Sequence, residues 1–284
     1  MKIFLAALLF SATASAATIS KNDITISTNE SGTVWSLTFR GKQYVNCVDK
    51  GRCFQGAASF DHMGEAFNPT KGGCNSAYGV VHALNCDQPN PSPSSSKLLL
   101  EVTGDGIVYN QTQMAFWNQV AGAKLSNHIH GMLIHIGCGA PNVICIHSSF
   151  EVPSNEQHSI GQFEVFTGYM PPEFSKFWTV DVNTDGGLRM LTNGPGEQSR
   201  PVIFSTPDFQ HAIGVYSMPS DCPTGAGYGR WNFAAEQTVK WNYVCRVPHP
   251  AGTHRFALRI VVGSVFEVIQ AMKTFNPRLA LVKT

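Results

Sequence analysis

The feature that most constrains this chain is a two-residue hydrophobic period, set up repeatedly and broken each time by turn formers. In 33–40 (TVWSLTFR), Trp35, Leu37 and Phe39 alternate with Ser36, Thr38 and Arg40. Side chains along a strand point to opposite faces in turn, so this run predicts a strand with one buried face. Gly41-Lys42 offers a Gly-first two-residue turn into a second strand at 43–47, a hairpin signal. Further strand-like runs lie at 98–103, 106–109, 129–137, 143–152, 161–167, 177–182, 188–192, 201–205, 212–217, 239–247 and 255–262. Gly104-Asp105, Asp185-Gly186-Gly187, Asn193-Gly194-Pro195-Gly196 and Pro250-Ala251-Gly252 punctuate them. A helix is expected only at 264–275. There Ser264 and Glu267 form a capping-box pattern, and Val268, Ile269, Met272 and Phe275 make an apolar face. The Pro/Ser-rich stretch 88–96 (QPNPSPSSS) reads as an exposed loop. With about 14 or more strands one sheet would curl or split, so an all-β protein of two packed antiparallel sheets is expected.

Composition narrows the function classes. Charged residues make up 14% of the 284, with 20 Lys+Arg against 19 Asp+Glu. That balance gives no basic excess to neutralise phosphates, so nucleic acid is excluded as a partner. Residues 1–16 (MKIFLAALLFSATASA) combine Lys2, an apolar stretch and a small-residue cleavage site, a secretory signal. Its apolar stretch falls short of the ~20 residues a bilayer span needs. The expected product is one domain over 17–284, secreted to the exterior, or to the periplasm in a bacterium, and not held in a membrane. The 8 cysteines agree with export. Pairing between sequence neighbours is expected: Cys47 with Cys53, Cys74 with Cys86, Cys138 with Cys145, and Cys222 with Cys245. No CxxC spacing points to zinc. Two glycosylation sequons begin at Asn29 and Asn110.

Three segments together resemble the galactose-mutarotase-like β-supersandwich superfamily of carbohydrate-active proteins. They are the strand pair 32–46 (GTVWSLTFRGKQYVN), the Gly-Arg stretch 49–55 (DKGRCFQ) and the loop 68–73 (NPTKGG). The resemblance implies a large antiparallel supersandwich, with a terminal strand and short helix and a broad sugar-binding cleft on one sheet. Relatives of that kind include epimerases, polysaccharide lyases and glycoside hydrolases, and fold alone does not choose among them. The Leu-His-Gly-Gly pattern of the sugar epimerases is absent.

Candidate chemistry is sparse enough to name. His128 and His130 share strand parity, and two imidazoles on one face suit proton transfer near neutral pH. With a third ligand they could hold a metal, but no metal and no cofactor is expected. Gln162 and Glu164 share another face, and a carboxylate in a sugar cleft can act as acid or base. Glu65, Asn68 and Lys71 lie in a polar, Gly-rich loop suited to hydroxyl recognition. Tyr169 follows a Thr-Gly turn, and Arg230-Trp231 sets a cation beside an aromatic ring that can stack on a pyranose. The catalytic set is thus His128, His130 and Glu164, all pointing into one cleft. The substrate-binding set is Glu65, Asn68, Lys71, Tyr169, Arg230 and Trp231.

No Gly-x-Ser-x-Gly, Walker or dinucleotide motif occurs. The expected function is that of a secreted, monomeric enzyme degrading a polysaccharide or oligosaccharide. Hydrolysis would use Glu164 with Glu65, Asp61 or Glu197. Lyase elimination would use a histidine with Tyr169, and Arg189 or Arg230 as the cation. A non-catalytic carbohydrate-binding module and a mutarotase-type epimerase are the alternatives.

Overall fold

The computed structural model describes residues 17–49, 51–61, 67–68, 96–116, 125–181, 187–218, 221–222 and 224–275; at 67–68 and 116 it describes the backbone only. Among these lie nineteen strands and a helix. Every strand pairing is antiparallel, and the pairings resolve into two sheets.

The front sheet runs in the order β1 (Thr18–Lys21), β2 (Ile24–Thr28), β3 (Val34–Phe39), β5 (Phe54–Phe60), β11 (Ile160–Met170), β18 (Thr238–Pro248), β17 (Ala226–Phe233), β14 (Gly196–Gln198). Beside β5, β4 (Lys42–Gln43) also pairs with β3. The back sheet runs β7 (Lys97–Gly104), β8 (Ile107–Phe116), β9 (Leu125–Ile136), β10 (Val143–Val152), β19 (Gly252–Gly263), β16 (Ala212–Tyr216), β15 (Val202–Ser205), β12 (Lys176–Val180), β13 (Leu188–Met190). The short β6 (Phe67–Asn68) pairs with both β5 and β8 and joins the sheets at one corner.

The two sheets enclose the main core. Phe54, Phe163, Phe166 and Trp241 face inward from the front sheet, and Ile134, Ile146, Phe150 and Leu258 from the back sheet. The outer side of the back sheet is apolar where α1 (Val265–Thr274) covers it. Ser264 caps α1 in a capping box with Glu267, as the sequence pattern predicts. Gly214 lets the helix approach: a Cβ there would sit 2.6 Å from both Val268 Cγ1 and Met272 Sδ. Cys47–Cys53, Cys138–Cys145 and Cys222–Cys245 are disulfides, as expected from sequence neighbours. The expected pair of Cys74 with Cys86 lies outside the described residues.

Two local expectations are corrected. Trp35 does not share the buried face of Leu37 and Phe39; it is 49% exposed. A β-bulge sets Ser27 opposite Ser36 but Thr28 opposite Val34, so Trp35 is the extra residue and Val34 takes the inward position. The hairpin turn is Arg40-Gly41, because Phe39 pairs with Lys42. Both turn residues have positive φ, the combination a two-residue turn of type I′ requires. The sequon asparagine Asn110 is buried, and its side-chain amide donates to the Gly32 carbonyl at 2.9 Å.

Candidate functional site

Strand parity divides the predicted catalytic residues between two places. His130 pairs with Phe150, and their rings lie 4.7 Å apart. Phe150 in turn packs on Phe163 of the front sheet, centroid to centroid 5.0 Å. His130 therefore points into the layer between the sheets. Glu164 follows Phe163 on β11 and points out of the other side of the front sheet. The single cleft expected for His128, His130 and Glu164 does not form, because the front sheet itself separates the histidines from the carboxylate.

The histidines have structural surroundings. His130 rests against the backbone of Gly56, where a Cβ would lie 2.4 Å from its Nε2. That Nε2 has no hydrogen-bond partner among the described residues, and full burial pushes the imidazole down to about 4. His128 Nε2 donates to Glu156 Oε2 at 2.7 Å, and His158 Nε2 donates to the same oxygen at 3.2 Å. His158 Nδ1 donates to Asp61 Oδ2 at 2.8 Å, while Asp61 Oδ1 accepts from the backbone N–H and hydroxyl of Ser159. Burial lowers the His158 pKa, but its bonds to Asp61 and Glu156 outweigh that and hold it above the ordinary value. For His128 burial wins and its pKa falls, despite Glu156. This chain of groups ties the ends of β5, β9 and β11 together around Phe60, whose ring stacks on His158 at 4.5 Å.

The outer face of the front sheet is the polar constellation. The inward face of β11, β18 and β17 carries Phe163, Trp241, Tyr243 and Tyr228, so alternation assigns the outward positions to polar residues and glycines. Lys240 Nζ donates to Glu164 Oε1 at 3.1 Å, and Asn242 Nδ2 donates to the same oxygen at 2.8 Å. Both members of the ion pair are buried. A bulge at Val165 resets the parity of β11, and this puts Tyr169 on the same side as Glu164. Tyr169 lies between two cations: Lys240 Nζ is 5.2 Å and the Arg52 guanidinium 4.7 Å from its ring centre. Arg52 is also paired with Asp49.

Trp231 pairs with Lys240 across β17 and β18, with the ammonium 5.0 Å from its ring. The indole folds back over Gly229, where a Cβ would lie 2.2 Å from it. Glu197 lies over Gly227 in the same way and accepts from both Nη atoms of Arg246 at 2.7 and 2.8 Å. Arg246 Nε donates to Gln162 Oε1 at 3.0 Å, so Gln162 and Glu164 share a face as predicted.

Of the predicted binding residues, Tyr169 and Trp231 join Glu164 on this face. Arg230 has the opposite parity to Trp231. Its guanidinium donates to the Thr192 carbonyl and hydroxyl and to Gln198 Oε1, and braces residues 192–198. Glu65, Lys71 and the side chain of Asn68 lie outside the described residues. Sequence reasoning missed Arg52, Lys240, Asn242 and Arg246. A signal for three of them was present: in β18, Lys240, Asn242 and Arg246 alternate with Trp241, Tyr243 and Cys245, and a strand whose two faces differ so strongly needs a polar surface to face. All described side chains considered, no group of histidine, cysteine and carboxylate residues has the arrangement of a metal site.

Known structures share this layout. A protein in glycosyl hydrolase family 38 from Enterococcus faecalis matches with a TM-score of 0.50 and 10% identity over 96% of this chain and 34% of that one. A galactose mutarotase-like protein from Clostridium acetobutylicum matches with a TM-score of 0.45 and 6% identity over 88% of this chain and 95% of that one. A heparan sulfate lyase from Pedobacter heparinus matches with a TM-score of 0.45 and 9% identity over 91% of this chain and 37% of that one. This chain thus spans about a third of the length of the first and the last. No protein-family model and no curated protein sequence matches it. The supersandwich layout that the resemblance implied is present, and at these identities the likeness is one of fold.

Proposed function

We propose that the protein is a carbohydrate-active enzyme that hydrolyses glycosidic bonds on the outer face of the front sheet. The observation that carries this reading is Glu164. It is a carboxylate held rigidly by Lys240 and Asn242, on a face that also presents Trp231 and a second carboxylate, Glu197. Trp231 offers an aromatic face for the apolar C–H side of a pyranose.

Hydrolysis asks for two carboxylates, one to protonate the departing glycosidic oxygen and one to take a proton from the attacking water. Glu197 lies over Gly227, and Gly227 and Glu164 both flank Val244, one on each neighbouring strand. Two strand spacings separate those positions, roughly 10 Å. That approaches the ~6.5–9.5 Å span that leaves room for a water between the carboxylates, the inverting arrangement. Arg246 keeps Glu197 ionised, which suits the base, and leaves Glu164 to handle the leaving oxygen.

Lyase elimination fits less well. It needs a cation for the uronate carboxylate, and on this face Arg52, Lys240 and Arg246 each already face a protein carboxylate. A binding module would have no need of the buried Glu164–Lys240 pair. Export follows from the leader-like residues 1–16 and agrees with the three disulfides. No described helix is long and apolar enough to cross a membrane. We take the protein to act as a monomer.

The test is an assay of the purified protein on a polysaccharide panel, reading new reducing ends and the absorbance of unsaturated uronates together. New reducing ends without unsaturation, lost in Glu164→Gln, are expected. Unsaturated products would establish elimination, and no products on any substrate would leave a binding module.

A further inference from the structure

The outer side of the back sheet is divided. One part is apolar and lies under α1; the other, over β8, β9, β10 and the first half of β19, is uncovered and has a different character. It forms a groove of about 560 Å3, within the size range of small-ligand sites. Its central rung reads Gln111, Gly131, Ser149 and Arg255 across four strands. Gly131 makes the groove: a Cβ there would lie 2.5 Å from Ser149 Oγ and 3.5 Å from Tyr109 Oη. Ile129 and Leu133, two residues to either side of Gly131, give an apolar floor.

The polar groups around that floor are uncommitted. Among the described residues, the side chains of Tyr109, Gln111, Ser149, Glu151 and Arg255 make no hydrogen bond or ion pair with another residue. Elsewhere cross-strand polar pairs are made, as between Thr18 and Ser27 or Ser20 and Thr25. On the front sheet Arg246 engages both Gln162 and Glu197. In the groove, Arg255 and Glu151 sit one rung apart on neighbouring strands without pairing. Donors and acceptors of both signs around an apolar floor match a neutral, polyhydroxylated ring with an apolar C–H face. They do not match a protein surface of the kind α1 presents, nor a polyanion, which the Glu151 carboxylate would repel.

We propose that this groove is a second saccharide-binding site, which holds a neutral oligosaccharide on the back of the molecule, remote from Glu164. The experiment is calorimetric titration with a panel of neutral hexasaccharides (β-1,4-glucan, α-1,4-glucan, β-1,4-xylan and chitin types). Wild type, Glu164→Gln and the double variant Gln111→Ala/Arg255→Ala are compared, with circular dichroism as a control of fold. For one panel member, the double variant is expected to weaken groove binding at least tenfold, while Glu164→Gln leaves that binding unchanged. The double variant should also keep the wild-type rate on a short soluble glycoside, which need not reach the groove. Binding unchanged in the double variant, or no binding of any panel member by the wild type, overturns the proposal. Binding lost only in Glu164→Gln overturns the groove and leaves the front-face reading standing. Binding lost only in the double variant, together with a fully active Glu164→Gln enzyme, keeps the groove and sinks the front-face reading.

Discussion

His130 and Glu164 are both titratable, both buried and both on central strands, yet they belong to opposite kinds of environment. His130 stands between the sheets among Phe150, Gly56 and the aliphatic core, with no charged partner for its Nε2. Glu164 stands outside the front sheet with an ammonium and an amide on its carboxylate. The difference teaches that burial alone does not mark a reactive group. The interior neutralises its histidine by desolvation, whereas the outer face keeps a charge by matching it. Chemistry is therefore sought where the charge is retained.

The largest effect should come from unbalancing that match. Lys240→Met leaves the Glu164 carboxylate buried without its cation and is expected to cost about 3–5 kcal/mol in urea denaturation. Adding Glu164→Gln to it should recover a good part of the loss, because the double change removes the stranded charge as well. If the single variant is as stable as the wild type, the pair is a surface ion pair and the contrast with His130 collapses.

Turnover sharpens the same contrast. Glu164→Gln preserves volume and keeps an acceptor for Lys240, so the fold should persist while kcat falls by roughly two orders of magnitude or more. His130→Leu should leave kcat within a few-fold of wild type. The reverse pattern in steady-state kinetics would return the chemistry to the interior histidine.

Acid sensitivity probes the histidine side. Burial takes His130 from 6.5 down to about 4, so the unfolded chain binds its proton first as pH falls. Its contribution is complete above pH ~6.5 and is lost as pH falls through that window, by about 2.5 kcal/mol at pH ~4.5. His130→Leu should flatten this part of the stability profile, seen as a smaller difference between urea midpoints at pH ~7 and ~4.5. An unaltered profile would mean that His130 is not the buried, neutral group described.

The smallest effect lies far from both places. Ser264→Ala removes the cap of α1 and should cost about 1 kcal/mol. In a chain of this size that lowers Tm by roughly 2–4 °C, without change in activity. A loss of activity would show that the helix-covered back sheet communicates with the front face.

Much of the architecture was legible because its causes are local. Alternation marked β9, β10, β18 and β19, and Ser264 with Glu267 marked the start of α1 to the residue. Three of four expected disulfides join sequence neighbours as read, since short loops bring them together at little entropic cost. β17 went unread because Gly227 and Gly229 remove the alternation at the positions where the Glu197 and Trp231 side chains lie across the strand. Trp35 was misassigned because one bulged residue inverts parity, and the sequence carries no mark of the bulge.

The candidate site was half legible. Glu164, Gln162, Tyr169 and Trp231 were named from residue type and parity, and they do share one face. For Tyr169 that outcome depends on the Val165 bulge, without which it would point into the core. Parity within a strand also grouped His128 with His130 correctly. It was silent on whether the face they share is the inner side of one sheet or the outer side of another.

The sequence by itself determined that this chain is all-β, antiparallel, closed by one capped helix and tied by disulfides, because periodicity, turn chemistry and capping act over a few residues. Only the tertiary structure decided that Lys240 and Asn242 come to Glu164, more than seventy residues away along the chain, and that His130 lies inside the sandwich. Which face of a strand meets water depends on the sheet that packs behind it, and that packing is a property of the whole assembly of strands.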